Sequence, residues 1–324
     1  MTRPIVALLL LLAACAPGAH RIAVDPAEVE AEAELQRRMF LEASVAEKLR
    51  LETVSFRVMR AALDLCDDGT RPLYGLVAAT MHTFGNDMRA AARASFGLDE
   101  RLRVLYVVPG SPADLAGVKR GDVIAEANRA PIARGDQAAD RFAAIRAETR
   151  GEPLTLLLGG ARPRRVTLAP VEGCDYAVEL APNGTVNAFA KRRKVVVTRG
   201  MMRFASDTEL AFVVSHELAH HLMDHVGPLR GGSGRVAHLE GEADYVGLYV
   251  TARAGYPIED IPHFWRRMAT VFPNSIGGSN DHPATPYRTV ALRKTVEEIL
   301  TKISSGAPLM PGIEGKFTAV NGAN

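Results

Sequence analysis

His216-Glu-Leu-Ala-His220 sets two imidazoles four residues apart with a carboxylate between them. On a helix, such positions lie one turn apart on a single face. Two histidines so placed can grip one zinc ion, and Glu217 then stands beside the metal to take a proton from its water. A catalytic zinc keeps three protein ligands and one open position, so a third ligand must come from a second element. Glu240-Gly-Glu-Ala-Asp244 follows twenty residues on. Glu240 and Asp244 again share one helical face, although chemistry alone allows either Glu240 or Glu242 to bind the metal. With Glu240 bound, Asp244 one turn later can hold a ligating histidine by its other ring nitrogen. His221 and His225 fall off the ligand face or a turn beyond it, and read as ordinary supporting or surface residues.

These residues need helices to present them. Asp207-Thr-Glu-Leu-Ala-Phe-Val-Val-Ser runs into the first motif, with Ser and Asp suited to an N-cap followed by apolar spacing near 3.6. Burying two histidines and a glutamate on so apolar a helix is costly unless something pairs them. The pattern predicts helices over 206–225, 237–254, 261–271 and 285–303, the second stopping at Gly255-Tyr-Pro257. A Gly-rich loop at 228–234 and a polar loop at 274–280 separate them. Ahead of them, 186–190 and 195–198 read as a β-hairpin joined by Lys191 to Lys194. Residues 25–65 read as a long helix rich in Ala, Glu, Leu and Arg.

The chain has 324 residues, room for about two domains, and 47% hydrophobic and 23% charged residues mark it as globular. A net charge of +2 argues against bulk attraction to nucleic acid, and the short basic runs at 162–165 and 191–194 read as solvated turns. At the N-terminus, Arg3 precedes an apolar run over 5–12 that is too short to span a bilayer as a mature helix. It ends in Leu12-Ala-Ala-Cys15, which resembles the bacterial lipobox. That resemblance implies a signal peptide over 1–14 and lipidation of Cys15. Cleavage after Ala14 or Ala19 by an ordinary signal peptidase is the alternative. Two or three acyl chains on one residue would anchor the chain stably. Ala16 in place of Asp favours the outer membrane, by resemblance to enteric lipoproteins. Cys66 and Cys174 remain, and an oxidising compartment predicts a disulfide between them.

Between those cysteines, 72–171 reads as a separate module. Pro109-Gly-Ser-Pro-Ala-Asp-Leu-Ala-Gly-Val-Lys-Arg-Gly-Asp-Val-Ile124 follows a strand-like run at 104–108 and resembles the PDZ domain of bacterial periplasmic proteases. Pro-Gly-Ser-Pro marks a turn, 113–116 a single helical turn, and Gly121-Asp122 a tight turn into a strand. A helix at about 137–149 and strands at 154–158 and 165–168 complete it. The resemblance implies capture of peptide C-termini, and Phe96, Gly97 and Leu98 are the candidate loop for the terminal carboxylate. The family usually has Asn-Gly where this chain has Asn128-Arg129, which alters a turn more than the groove. Cysteines flanking the module fit a domain inserted into a loop, since inserted domains have neighbouring ends.

The remainder resembles the zinc metallopeptidase family that includes the HtpX and CAAX-prenyl endopeptidases, especially its periplasmic lipoprotein members. Asn187-Ala-Phe-Ala and Val-Thr-Arg-Gly200 look like its strand pair ahead of the metal helix. His216-Glu217-xx-His220 and Glu240-xxx-Asp244 match its ligand motifs, and Asp281-His282-Pro283 with Arg288 its late His-Pro…Arg element. The resemblance implies one zinc per chain held by His216, His220 and Glu240, with Asp244 and Arg288 supporting. Glu217 is then the general base, and His282 would stabilise the oxyanion or cap the zinc in a latent state. Asn187, Ala188, Val195, Val196 and Val197 would hold substrate in extended form.

The expected fold is α+β. A mainly helical zincin domain of gluzincin type with a small hairpin or sheet, over 25–68 and 173–305, is interrupted by the β-rich PDZ-like domain, and 306–324 form a loose tail. The expected function is a zinc endopeptidase of the bacterial periplasm, lipid-anchored to a membrane, acting on unfolded or misassembled envelope proteins. A chaperone or assembly factor at the outer membrane is one alternative, which the intact Glu217 disfavours. A PDZ-centred adaptor with structural zinc is another, which a set of three ligands disfavours.

Overall fold

Asp25 opens the first helix, α1 (Pro26–Ala61): its side chain accepts from the Ala27 amide and Pro26 takes the first helical position, where a missing N–H costs nothing. The computed structural model describes residues 22–67, 69–226, 233–278, 283–313 and 316–317. The signal segment over 1–14, Cys15, Asp281, His282 and much of the tail after 313 lie outside these residues. None of the described helices is long and apolar enough to cross a membrane.

Helix α1 serves two cores. Leu41 and Val45 pack with Ala91, Ala92, Leu98, Leu105 and Tyr106 of the inserted module. Further along, Leu51, Val54, Val58 and Met59 enter the large core built by the C-terminal helices. Arg57 donates to the carbonyls of Ala254 and Gly255 and lies 3.9 Å over the Tyr256 ring, so α1 is also pinned by polar contacts.

A short ladder forms the stem of the module. Strand β1 (Thr70–Leu73) pairs antiparallel with β8 (Val171–Cys174), Thr70 opposite Cys174. Cys66 and Cys174 are joined by a disulfide that closes a loop of 108 residues. Within the loop lie β2 (Leu76–Ala79), α2 (Arg89–Phe96), β3 (Arg103–Val107), α3 (Pro112–Leu115), β4 (Val123–Ala127), β5 (Ala130–Pro131), α4 (Ala138–Glu148), β6 (Leu154–Gly159) and β7 (Arg164–Leu168). The sheet order is β2-β3-β4-β6-β7, with β5 against β4. Strands alternate buried and half-buried residues, as in β6, and Ile124, Phe142, Leu154 and Leu156 fill a core of the module's own. Asn128 and Arg129, both at positive φ, form the two-residue turn between β4 and β5. The Asn128 amide ties that turn to Thr149 and to the Thr155 backbone, so the unusual arginine is accommodated at the turn alone.

The second body begins with β9 (Ala177–Ala181), β10 (Ala188–Ala190) and β11 (Lys194–Thr198), arranged β10-β11-β9 with β11 parallel to β9 and antiparallel to β10. Helices α5 (Arg199–Phe204), α6 (Asp207–Leu222), α7 (Ser233–Arg253), α8 (Pro262–Val271) and α9 (Thr285–Ser305) follow. Ser206 caps α6 in a capping box with Glu209, and Arg267 of α8 grips the same glutamate. The spacing predicts α6 as far as 225, but the helix stops at Leu222. Asp224 takes a left-handed conformation, its amide bonds to the His221 carbonyl, and the His225 amide bonds to the His220 carbonyl. This Schellman turn reverses the chain at once.

Helices α6 and α7 approach closely at Gly247. A Cβ there would come within 2.9 Å of the His216 backbone. Replacing Gly247 by Ala therefore forces the helices apart and should destabilise by about 1–3 kcal/mol. Gly241, on the same helix with nothing within 4 Å of its would-be Cβ, should instead gain up to about 1 kcal/mol as Ala through helix propensity alone. Chemical denaturation of both variants reads the contrast, and equal effects would refute the close approach. A long disulfide-closed loop is worth about 2–4 kcal/mol, so a reductant or Cys66→Ser with Cys174→Ser should lower the thermal midpoint by several degrees. An unchanged midpoint would show that the stem holds without the bond.

Candidate metal centre

Three ligand atoms converge between α6 and α7. His216 Nε2 lies 3.3 Å from His220 Nε2, 3.4 Å from Glu240 Oε2, and His220 Nε2 lies 3.4 Å from Glu240 Oε1. In a tetrahedron with bonds of about 2.05 Å, ligand atoms sit about 3.3 Å apart, so this donor set has the dimensions of a zinc site. Charge fits as well. Glu217, Glu240 and Asp244 are buried carboxylates, against a single buried guanidinium among the described residues, Arg288. That leaves two formal negative charges, which one divalent cation would cancel.

Two of the three ligands, His216 and Glu240, are backed by charged partners. Asp244 Oδ1 lies 3.0 Å from His216 Nδ1. Arg288 on α9 clamps Asp244 with two hydrogen bonds of 2.6 and 2.7 Å, reaches Glu240 at 3.3 Å, and lies 3.4 Å over the Trp265 ring on α8. Burial raises the Asp244 pKa, but Arg288 and His216 outweigh it and hold the carboxyl below its usual range. Burial likewise works against a charged His216, yet Asp244 and Glu240 push its pKa above the usual imidazole range. The site is thus built to hold positive charge at His216, whether a proton or a metal ion brings it.

The structure separates the two candidate acids. Glu240 is in the ligand group. Glu242 turns away and meets His225 at 3.1 Å and the exposed His238 at 3.3 Å. His221 is buried against Tyr176, with Nε2 3.0 Å from the Lys194 carbonyl, and so fastens α6 to β11.

A cavity of about 820 Å³ opens onto the ligands, and Glu217 lines it. Residues 185–190 form one wall, while Phe212, Trp265 and Arg288 contribute others. Asn187 and Ala188 line this wall, but Val195, Val196 and Val197, also expected to hold substrate, do not. Strand β11 is paired on both edges, with β9 and with β10, and the three valines are buried. Its backbone is therefore spent, and β10, at the end of the sheet, is the strand that faces the cavity.

The proposed carboxylate loop of the module is also displaced. Phe96 ends α2 and carries Arg120 over its ring at 4.7 Å, Gly97 is the left-handed stop whose N–H bonds to Arg93, and Leu98 is core. These residues terminate a helix and form no cradle. The concave site of the module is instead a cavity of about 200 Å³ beside β2, lined by Tyr74, Gly75, Leu76, Val77, Arg71 and Arg146, and closed on one side by Glu52, Ser55, Phe56 and Met59 of α1. Gly75 is at φ +74°, and its would-be Cβ meets Ser111 at 2.1 Å, so only glycine fits. Sequence reasoning also missed Trp265 and Gly247. A glycine inside an otherwise strong helix was the available signal for the second.

Residues 167–230 match Peptidase family M48, and residues 103–158 match the PDZ domain. The mitochondrial metalloendopeptidase OMA1 of Arabidopsis thaliana is 26% identical over 181 residues, covering 45% of this chain, and the chain spans only 37% of that relative's length. Among solved structures, the HtrA3 PDZ domain bound to a phage-derived ligand (FGRWV) matches at 20% identity and a TM-score of 0.24, over 32% of this chain and 89% of that one. M48 metallopeptidases are metal-dependent, and His216, His220 and Glu240 form a group that could hold such an ion. The chain thus contains one segment that matches peptidase family M48 and another that matches the PDZ domain.

Proposed function

We propose that the protein is a zinc-dependent endopeptidase of zincin type in the bacterial cell envelope, lipid-anchored through Cys15, that cleaves unfolded or misassembled proteins. The observation that carries this reading is the convergence of two imidazoles and one carboxylate at zinc-site spacing, with Glu217 lining the same cavity and an edge strand along its wall. Bound zinc supplies Lewis-acid polarisation and a water of lowered pKa.

The chain's own residues supply the rest. Glu217 takes the proton of the attacking water and later delivers it to the leaving amine. Arg288 and Asp244 keep His216 and Glu240 in place, because a buried bidentate pair has little freedom. His282, outside the described residues, would donate to the oxyanion. Strand β10 holds the substrate by backbone pairing, which reads shape more than sequence and suits unfolded chains. The PDZ domain binds peptide C-termini at the cavity beside β2, where Arg71 and Arg146 supply positive charge for a carboxylate.

Glu217→Gln should reduce casein cleavage by about 10²–10⁴-fold while zinc content stays near one per chain. Chelation should abolish cleavage and added zinc restore it. Cleavage that survives in the Gln variant would end the peptidase reading. For the module, short fluorescent peptides with a free carboxylate should bind and their C-terminal amides should not. Equal binding of both forms in a polarisation titration would remove the carboxylate site.

A further inference from the structure

The spacing predicts His225 as an ordinary supporting or surface residue, since on a continuous helix it would stand off the ligand face. The Schellman turn changes this. With α6 stopped at Leu222 and Asp224 in the left-handed conformation, His225 folds back beneath the last turn. Its Nδ1 lies 3.1 Å from His220 Nδ1, and its Nε2 lies 3.1 Å from Glu242 Oε2. The His225 side chain is 2% exposed, whereas His238 on the far side of Glu242 is 75% exposed.

We infer that His225 and Glu242 are positioning residues for the ligand His220, an inference that rests on the metal reading above. The ring chemistry sets the direction of the chain. His220 presents Nε2 to the ligand cluster, so that nitrogen must carry a lone pair and Nδ1 must carry the proton. Nδ1–H donates to His225 Nδ1. The remaining proton of His225 is then on Nε2 and is donated to the Glu242 carboxylate. His220 is thereby locked in one tautomer and one ring orientation, as Asp244 locks His216. Both acids of the Glu240-Gly-Glu242 pair serve the metal, one directly and one through an imidazole.

The test is a zinc titration against a competing chelator, using the full chain and its variants. His225→Ala should weaken zinc binding by about 10–100-fold, the range for lost supporting partners. Glu242→Gln should weaken it less, since the amide oxygen still accepts. The double variant should be no weaker than His225→Ala, because both residues act through one chain of bonds. His238→Ala should bind as the parent does. Cobalt at saturation should show an altered visible band in His225→Ala, reporting a reoriented ligand. If the variants lower the melting point of the metal-free protein but bind zinc within twofold of the parent, the residues are merely structural and the inference fails. Should His225→Ala not fold, Glu242→Gln decides by the same titration. A parent chain that binds no zinc would overturn the metal reading itself, and this inference with it.

Discussion

Everything in the second body answers to one electrostatic demand. Three carboxylates and two imidazoles sit among apolar residues on two packed helices, with Arg288 the only buried guanidinium among the described residues. Such groups are tolerable in a core only if each has a partner of opposite charge or a hydrogen bond. For His216, His220, Glu240 and Asp244 the helices meet that demand by geometry. Gly247 lets α7 approach the backbone at His216, the four-residue spacing aligns His216 with His220 and Glu240 with Asp244, and α9 brings Arg288 across the top. The Trp265 ring, 3.4 Å from the guanidinium, then packs against it on α8.

Around that centre the architecture is one of stems and struts. The inserted module has its own core, yet it is not a bead on a string. A disulfide and the β1–β8 ladder close its base, and α1 runs from the module's core into the core of the metal-bearing body. Glu52 and Phe56 on the same helix face the cavity beside β2. Helix α1 is therefore the element through which both cavities share a wall or a core.

The two cavities draw on the same physics of sheet edges. Strand β10 ends one sheet and β2 ends another, so each has a backbone edge that its own sheet does not fill. Each edge lines a cavity, one beside the ligand cluster and one beside two arginines. Recognition through such edges is set by backbone hydrogen bonds, with side chains adding selectivity.

Local spacing was enough to write down much of the site. His216, Glu217 and His220 needed only the helical period, and Asp244 and the cysteine pair followed from position. The order of elements after 185 was legible from caps, glycines and apolar runs, because those signals act over a few residues. Three things were not legible. Strand order decided that β10 and not β11 faces the cavity, and no local pattern encodes which neighbour a strand takes. Gly97 read as a cradle and proved to be a helix stop, since one glycine serves either end and only its surroundings choose. His225 and Glu242 meet because a left-handed Asp224 reverses the chain, a conformation that Asp adopts seldom enough that spacing could not announce it. The sequence by itself determined which groups could bind a metal and do chemistry. Only the tertiary structure decided which of them face one another, because burial, edge pairing and chain reversal depend on residues distant in sequence.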